Sequence, residues 1–557
     1  MKNACLRFLR PCLAREAPPI RRSTSSAYAR FYSIAAQPQQ ISPVRQRLDE
    51  LEQTEFLKYP RVKNDKGVLT CEGFRLKYRN LEAGAHVANE TVTIRGRVHS
   101  SRIAGSKLVF FDLVQDGSQV QGLCNLNKLA DSGVTREQFK SFYHILRRGD
   151  IFSLTGIPHR TGRGELSIEA VELPSLLSPS IHQLPDELTD VETRKRNRHV
   201  DLLVNKESVE TLKLRSLIIQ YIRNFLLNDG FLEVETPILA DAAGGAVARP
   251  FRTNAVEFPE RGISLRIAPE LWLKRLVLGG MDRIFEIGPN FRNEGLDGTH
   301  NPEFTTCEFY KSFADLEDLI NMTEKMLSGL SSHVNNLKET KFTSLPALNL
   351  DFSAPFKRLD FIPALEEAIG RRLPDLSGSD ASDSLVNLMG HMSVPLPAEI
   401  NLPRLLDKLA SVYIEPQCVD PTFVCYHPES LSPLSKSFEH PTNRQKVAAR
   451  VELFAQGREL VNAYEEENSP QEQRRKFLLQ ASYRDAEDES GVDENYLQAL
   501  EWGLPPTGGW GCGLDRLCMM FSGASRIGDV LSFGNLRNVV ALGRSMEDQS
   551  INHEHKS

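Results

Sequence analysis

Residues 503–516 read Gly503-Leu-Pro-Pro-Thr-Gly-Gly-Trp-Gly-Cys-Gly-Leu-Asp-Arg516. Without a Cβ, Gly508-Gly509 and Gly511-x-Gly513 let the backbone approach a ligand closely before the chain enters a helix. The block is not a Walker loop, because no Gly-Lys-Ser/Thr follows. Nor is it a dinucleotide fingerprint: it lacks the preceding strand and the distant ribose acid in order. It ends on Arg516, whose guanidinium stays charged and binds phosphate oxygens bidentately. Gly244-Gly245 is a second permissive point.

Upstream, Leu214, Leu217, Ile218, Tyr221, Ile222, Phe225 and Leu226 recur at helical spacing, predicting an amphipathic helix over 208–228. Asn228-Asp229-Gly230 stops it, and Gly230-Phe-Leu-Glu-Val-Glu-Thr-Pro-Ile-Leu239 follows. A further block comprises Phe291-Arg-Asn-Glu-Gly295, Thr299-His-Asn-Pro-Glu-Phe304 and Glu308-Phe-Tyr310. Later elements alternate strands and helices without a regular strand–helix–strand rhythm. That favours an antiparallel sheet with flanking helices. Residues 365–400, with Ser377-Gly-Ser-Asp-Ala-Ser-Asp383, read as an insertion or helical excursion.

The N-terminal third has a different texture. Thr91-Val-Thr-Ile-Arg-Gly-Arg-Val98, Lys107-Leu-Val-Phe-Phe-Asp-Leu-Val114 and Gln119-Val-Gln-Gly-Leu-Cys124 read as strands. A helical patch follows at 135–147. Asp150-Ile-Phe-Ser-Leu-Thr-Gly156 and Glu165-Leu-Ser-Ile-Glu-Ala-Val171 are two more strands. Five strands with a helix after the third is the order of an OB-fold barrel. The expected division is a lead-in at 33–90, a barrel at 91–174, a linker at 175–190, a second domain at 191–545 and a tail at 546–557.

The chain has 557 residues, with 67 Lys and Arg against 73 Asp and Glu, a net charge of −6. This ordinary globular composition excludes a mostly disordered chain and a protein that coats nucleic acid by bulk positive charge. No apolar run approaches the ~18 residues of a membrane-spanning helix. None of the cysteines forms a CxxC pair, so no zinc spacing is present. The charge is uneven, however. Residues 1–36 hold seven basic residues and one acid, Glu16, and are rich in Ser and Ala. That is the composition of a mitochondrial transit peptide, with Arg30-Phe-Tyr-Ser33 resembling a matrix-protease site. Removal of 1–32 leaves a body near −12.

The three C-terminal blocks, taken in order, resemble the motifs of class II aminoacyl-tRNA synthetases. With Arg266-Ile-Ala-Pro-Glu-Leu271 and Asn462-Ala-Tyr464, the chain is similar to the lysyl members from about residue 90 to 534. Activation brings a carboxylate against the α-phosphate of ATP, so fixed positive charge is required there. The resemblance implies Arg292 on the α-phosphate and Arg516 on the γ-phosphate, as the catalytic residues. It places Phe304 on adenine, Glu294 beside the ring and His300 and Asn301 in the adjoining loop. It further implies Mg2+ on Glu452 and Glu459; their separation of seven suits one helix face or two paired strands. Phe110 would stack on the central anticodon uridine, with Arg102 and Gln121 reading its edge. The long helix and the block after it imply a homodimer.

The amino acid follows from the pocket. Gly245, Glu270, Glu308, Tyr310, Asn462, Tyr464 and Glu466 are the substrate-side positions that the resemblance implies. Three carboxylates and two tyrosines suit a diamine, because an ammonium needs acceptors. Glu270 is assigned to the α-amino group, and Glu466 with Tyr310 to the ε-ammonium. The expected function is attachment of lysine to tRNA(Lys) through a lysyl-adenylate in the mitochondrial matrix, without zinc or membrane. An aspartyl- or asparaginyl-type relative would present a cation to its substrate's side chain. A protein-modifying paralogue would lack the barrel with Phe110 and Gln121. A non-catalytic binding protein would have lost Arg292, Arg516 or the metal acids.

Overall fold

The computed structural model describes residues 42–54, 59–62, 67–240, 245, 248–483 and 492–542. The predicted transit segment, Gly244 and the 546–557 tail lie outside the described residues. The chain forms two compact units that divide between Leu184 and Pro185.

In the first unit, helix α1 (Pro43–Gln53) precedes strands β1 (Val92–Ile103), β2 (Leu108–Gln115) and β3 (Ser118–Asn125), helix α2 (Arg136–Ile145), and strands β4 (Ile151–Arg160) and β5 (Leu166–Ala170). The pairings β1–β2, β2–β3, β3–β5, β5–β4 and β4–β1 close a five-stranded barrel. Alternation puts Val92, Ile94 and Val98 of β1, and Val109, Phe111 and Leu113 of β2, inside it. Phe139, Phe142 and Ile145 of α2 pack into the same core.

Two segments differ from expectation. The lead-in is part of the barrel unit, because Leu51, Cys71, Phe74 and Tyr78 join its core. Buried Arg47 donates to Asp150 Oδ2 at 2.8 Å and to the Ile145 carbonyl. The linker reading of 175–190 is corrected at its start: Ser175–Ser178 is a strand on β4, anchored by buried Leu176. Proline and serine content marked the stretch as a linker, but its start pairs with β4 and buries Leu176 beside Phe152.

The second unit is built on an eight-stranded sheet. Its elements in chain order are α3 (Lys206–Asn228), β6 (Leu232–Glu233), α4 (Glu270–Leu278), β7 (Arg283–Phe291), β8 (Glu303–Ser312), α5 (Leu316–Thr340), β9 (Lys357–Asp360), β10 (Thr422–Cys425), β11 (Arg450–Ala455), β12 (Arg458–Glu465), β13 (Thr507–Gly513) and α6 (Leu514–Ser522). The spatial order is β9-β10-β11-β12-β13-β8-β7-β6. The six middle strands are antiparallel, and β9 and β6 add parallel edges. Segment 365–400 forms helices within a separate apolar cluster that also includes Leu405, Leu406 and Leu409.

The sheet is two-faced. Phe285, Phe309, Trp510, Ala463 and Val451 align across one face and are buried against α3, α5 and α6. Trp510 stacks on Phe309 at 4.9 Å and donates to Thr323 Oγ1 of α5 at 2.9 Å. The predicted stripe of α3 supplies Leu214, Ile218, Ile222 and Leu226 to this core. Because successive strand residues alternate faces, the residues between these apolar ones all point the other way.

Candidate active site

That second face is polar. One row across it runs Glu286, Glu308, Gly511, Asn462, Glu452. The neighbouring row holds Tyr310, Gly509, Tyr464 and Arg450. After Thr507, the site-facing positions of β13 are glycines (509, 511 and 513), whereas Gly508, Trp510 and Cys512 face the core. A trough therefore runs between β8 and β12. Gly509 is required sterically: a Cβ there would lie 1.8 Å from Glu466 Oε1 and 2.8 Å from Tyr310 Cε1.

One end of the trough is an acidic pocket. Buried Glu270 begins α4, and its Oε1 accepts from Tyr464 Oη at 2.7 Å and from Lys274 Nζ at 2.6 Å. Glu466 follows β12, is fully buried and pairs with the same Lys274. Gly245 adopts φ +90°, a conformation that disfavours side chains, and a Cβ there would stand 3.1 Å from the Glu270 Cβ. Burial, and then repulsion from Glu270, push the Glu308 carboxyl up to about 8, against the pull of Arg292. Burial and Glu270 likewise raise the Tyr310 and Tyr464 phenols, so both stay neutral donors.

The other end is cationic. Arg292 follows β7, and its guanidinium lies 5.1 Å from the Phe304 ring. Arg516, one turn into α6, donates to the Glu459 carbonyl at 3.2 Å and sits 2.8 Å from His300 Nε2. His300 Nδ1 lies 2.7 Å from Asp297 Oδ2, so the imidazole is held between a carboxylate and the arginine. Asn301 donates to the Glu303 carbonyl, and Glu294 is exposed on the same loop. Arg215 of α3 and the Thr305 amide both bind Asp515, which ties α3 and β8 to the helix that carries Arg516.

Glu452 and Glu459 sit on paired strands, which resolves the two readings of their spacing. Leu453 pairs with Val461 but Phe454 with Glu459, so Leu460 is an extra residue. This bulge turns Glu459 onto the face of Glu452, where an unbroken strand would bury it. Burial opposes the Glu452 charge, but Arg450 and His427 overcome it and hold the carboxyl at about 2. Burial and Glu452 raise Glu459, against Arg516. Two crowded hard oxygen donors beside the Arg516 guanidinium fit Mg2+, which keeps several waters and phosphate oxygens. Among the described residues no group of three or more His, Cys, Asp or Glu is arranged as a metal cage.

In the first unit Phe111 takes the barrel core and Phe110 points outward, 4.9 Å from the Arg102 guanidinium. Arg102 pairs with Phe110 across β1–β2, and Gln121 lies on β3 with its side-chain oxygen accepting from Ser167. Sequence reasoning did not reach Lys274, Tyr496, Asp297, His427 or Arg450. For Lys274 a signal was present: it lies four residues after Glu270, one turn along a helix.

Residues 190–537 match the family described as tRNA synthetases class II (D, K and N), and residues 92–175 match the OB-fold nucleic acid binding domain. The chain belongs to the class II tRNA synthetases and is an aminoacyl-tRNA ligase. Its relatives are lysine--tRNA ligases. The sequence is 40% identical over 516 residues to that of Cladosporium cladosporioides, covering 90% of this chain and 85% of the relative. It is 41% identical to the mitochondrial lysine--tRNA ligase of Schizosaccharomyces pombe, over 86% of this chain and 91% of the relative. A Thermotoga lysine--tRNA ligase is 38% identical over 88% and 94%.

Proposed function

We propose that the protein attaches lysine to tRNA(Lys) through a lysyl-adenylate, in the mitochondrial matrix. The observation that carries the amino-acid choice is the acidic pocket, with Glu270, Glu308 and Glu466 around one end of the trough. A substrate with two ammonium groups satisfies such a site, and a neutral analogue leaves a carboxylate unpaired. In this reading Glu270 and Gly245 meet the α-amino group, Glu466 and Tyr310 the ε-ammonium, and Tyr464 the aliphatic stem. Glu308 adds negative potential once the bound ammonium draws off its proton, and Asn462 adds a neutral polar contact between pocket and phosphate sites.

The reaction needs positioning and charge. Lysine's carboxylate attacks the α-phosphate and pyrophosphate leaves. Arg292 neutralises the charge that grows on the α-phosphate, and Arg516, steadied by His300, holds the departing phosphates. Phe304 stacks on adenine, and Glu294 and Asn301 line the same loop. Glu452 and Glu459 would hold Mg2+, which supplies charge neutralisation on the triphosphate. A hydroxyl of the terminal tRNA adenosine then attacks the acyl carbon and releases AMP. Phe110, Arg102 and Gln121 read the anticodon, since an outward ring beside a guanidinium suits a splayed base.

The presence of Lys274 bears on the aspartyl alternative, whose pocket needs a cation. That charge is taken by Glu270 and Glu466, and Lys274 is fully buried. The basic, Ser-rich leader and the mitochondrial relative support the matrix assignment. The outer face of α3, with a groove of about 490 Å3 lined by Arg215, Ile219 and Arg223, and exposed Leu232 on the edge strand support a homodimer. Charging of a tRNA(Lys) transcript with each of lysine, aspartate and asparagine tests the assignment. Lysine is expected, with sharp loss when the central anticodon base is changed; charging with aspartate or asparagine instead overturns it.

A further inference from the structure

Lys274 is the most deeply placed cation of the site and has no role in the steps above. It lies on α4, one turn after Glu270, and its side chain has no exposure to solvent. Its Nζ binds Glu270 Oε1 at 2.6 Å and pairs with Glu466 from β12. Tyr464 of β12 and Tyr496 of the helix Glu494–Leu500 present their rings to it, at 5.7 and 5.9 Å. On β8, Tyr310 and Glu308 face the same carboxylates, and Arg275 beside it on α4 acts on Tyr496. Tyr496 Oη and Glu466 Oε1 have no hydrogen-bond partner among the described residues, whereas Glu466 Oε2 is the oxygen that faces Lys274. Glu466 is therefore charge-paired yet has acceptor capacity left for something else.

Resting on the lysine reading, we propose that Lys274 is a positioning residue of the amino-acid pocket. It is a built-in ammonium that pairs with Glu270 and Glu466 and fixes them on either side of itself. The substrate's ammonium groups then meet two acceptors whose spacing the protein has already set.

Charge count supports this arrangement. Two bare carboxylates so deeply buried repel one another, and one takes up a proton. Burial alone would discharge Lys274, but Glu270 and Glu466 together hold it charged well above the usual lysine value. Burial, with Glu270 and Glu308, pushes the Glu466 carboxyl well above the ordinary range, and Lys274 is the cation that pulls against them. Removing the ammonium leaves only the upward push, so an acceptor meant for the substrate becomes a neutral acid at neutral pH.

The test compares Lys274→Met and Lys274→Arg with the wild type in lysine-dependent ATP–pyrophosphate exchange between pH 6.5 and 8.5. The ratio of wild-type to variant kcat/KM for lysine cancels the pH dependence that the enzymes share. For Lys274→Met the ratio should be at least about tenfold larger at pH 6.5 than at pH 8.5, since protonation of one carboxylate changes affinity about tenfold per unit. The KM for ATP should stay within about twofold of the wild-type value. Lys274→Arg keeps the charge but moves it, so its ratio should be flat with pH and its KM for lysine raised about tenfold or more. A Met ratio constant across pH overturns the proposal. Should the Met variant not fold, an Arg variant with a wild-type KM for lysine overturns it equally. Absence of lysine exchange in the wild type would instead remove the lysine reading itself.

Discussion

Replacing Glu308 by glutamine isolates the electrostatics of the empty pocket. Burial and the Glu270 charge raise the Glu308 carboxyl to about 8. At pH 7 such a group is roughly nine-tenths protonated. A bound lysine brings a positive charge to its edge and returns it toward the ordinary range near 4.5. Lysine binding should therefore release about 0.9 proton at pH 7 and about half a proton at pH 8. Isothermal titration calorimetry of lysine in buffers of different ionisation enthalpy counts these protons directly. Glu308→Gln should lower the count at pH 7 below about 0.2. The same shift has a stability signature. A carboxyl raised in the folded state favours folding below its unfolded value and loses that contribution as pH climbs to the folded one. The melting temperature of the unliganded protein should thus fall relative to Glu308→Gln between pH 5 and 8. Equal heats in all buffers at pH 7 for the wild type would mean that Glu308 is already ionised in the empty pocket.

Gly509→Ala places a methyl group 1.8 Å from Glu466 Oε1. It should cost about 1–3 kcal/mol of stability by denaturant unfolding and raise the KM for lysine more than that for ATP. In the barrel, Phe110→Ala should raise the KM for tRNA about 5- to 150-fold, the range of one base stacked on one ring. It should leave lysine-dependent exchange unchanged. Its neighbour Phe111→Ala should instead lower stability by about 3–5 kcal/mol, because that ring fills the core.

The fold was legible where local patterning and burial agree. The stripe of α3 and the alternation of β1 and β2 each bury the face that their periodicity marks. The second and third blocks meet on one sheet face because β8 and β13 are neighbours, and the first block supplies the edge strand β6 beside β7. What was not legible depended on register and long-range pairing. The bulge at Leu460 cannot be read from a run of residues that would serve as an ordinary strand, yet it decides where Glu459 points. Lys274 looks like a surface lysine on a helix until β12 brings Glu466 against it. Leu176 turned a proline-bounded linker into a strand for the same reason: its partner lies some 24 positions back, at Phe152.

In the proposed reaction, the buried acidic pocket holds lysine while Arg292 and Arg516 hold the phosphates of ATP. ATP–pyrophosphate exchange with a panel of amino acids measures that step alone, without tRNA. The expected result is exchange with lysine, none above background with aspartate or asparagine, and loss of the lysine signal in Glu466→Gln through KM for lysine and not for ATP. Exchange supported by aspartate or asparagine, or a Glu466→Gln variant with unchanged KM for lysine, would contradict it.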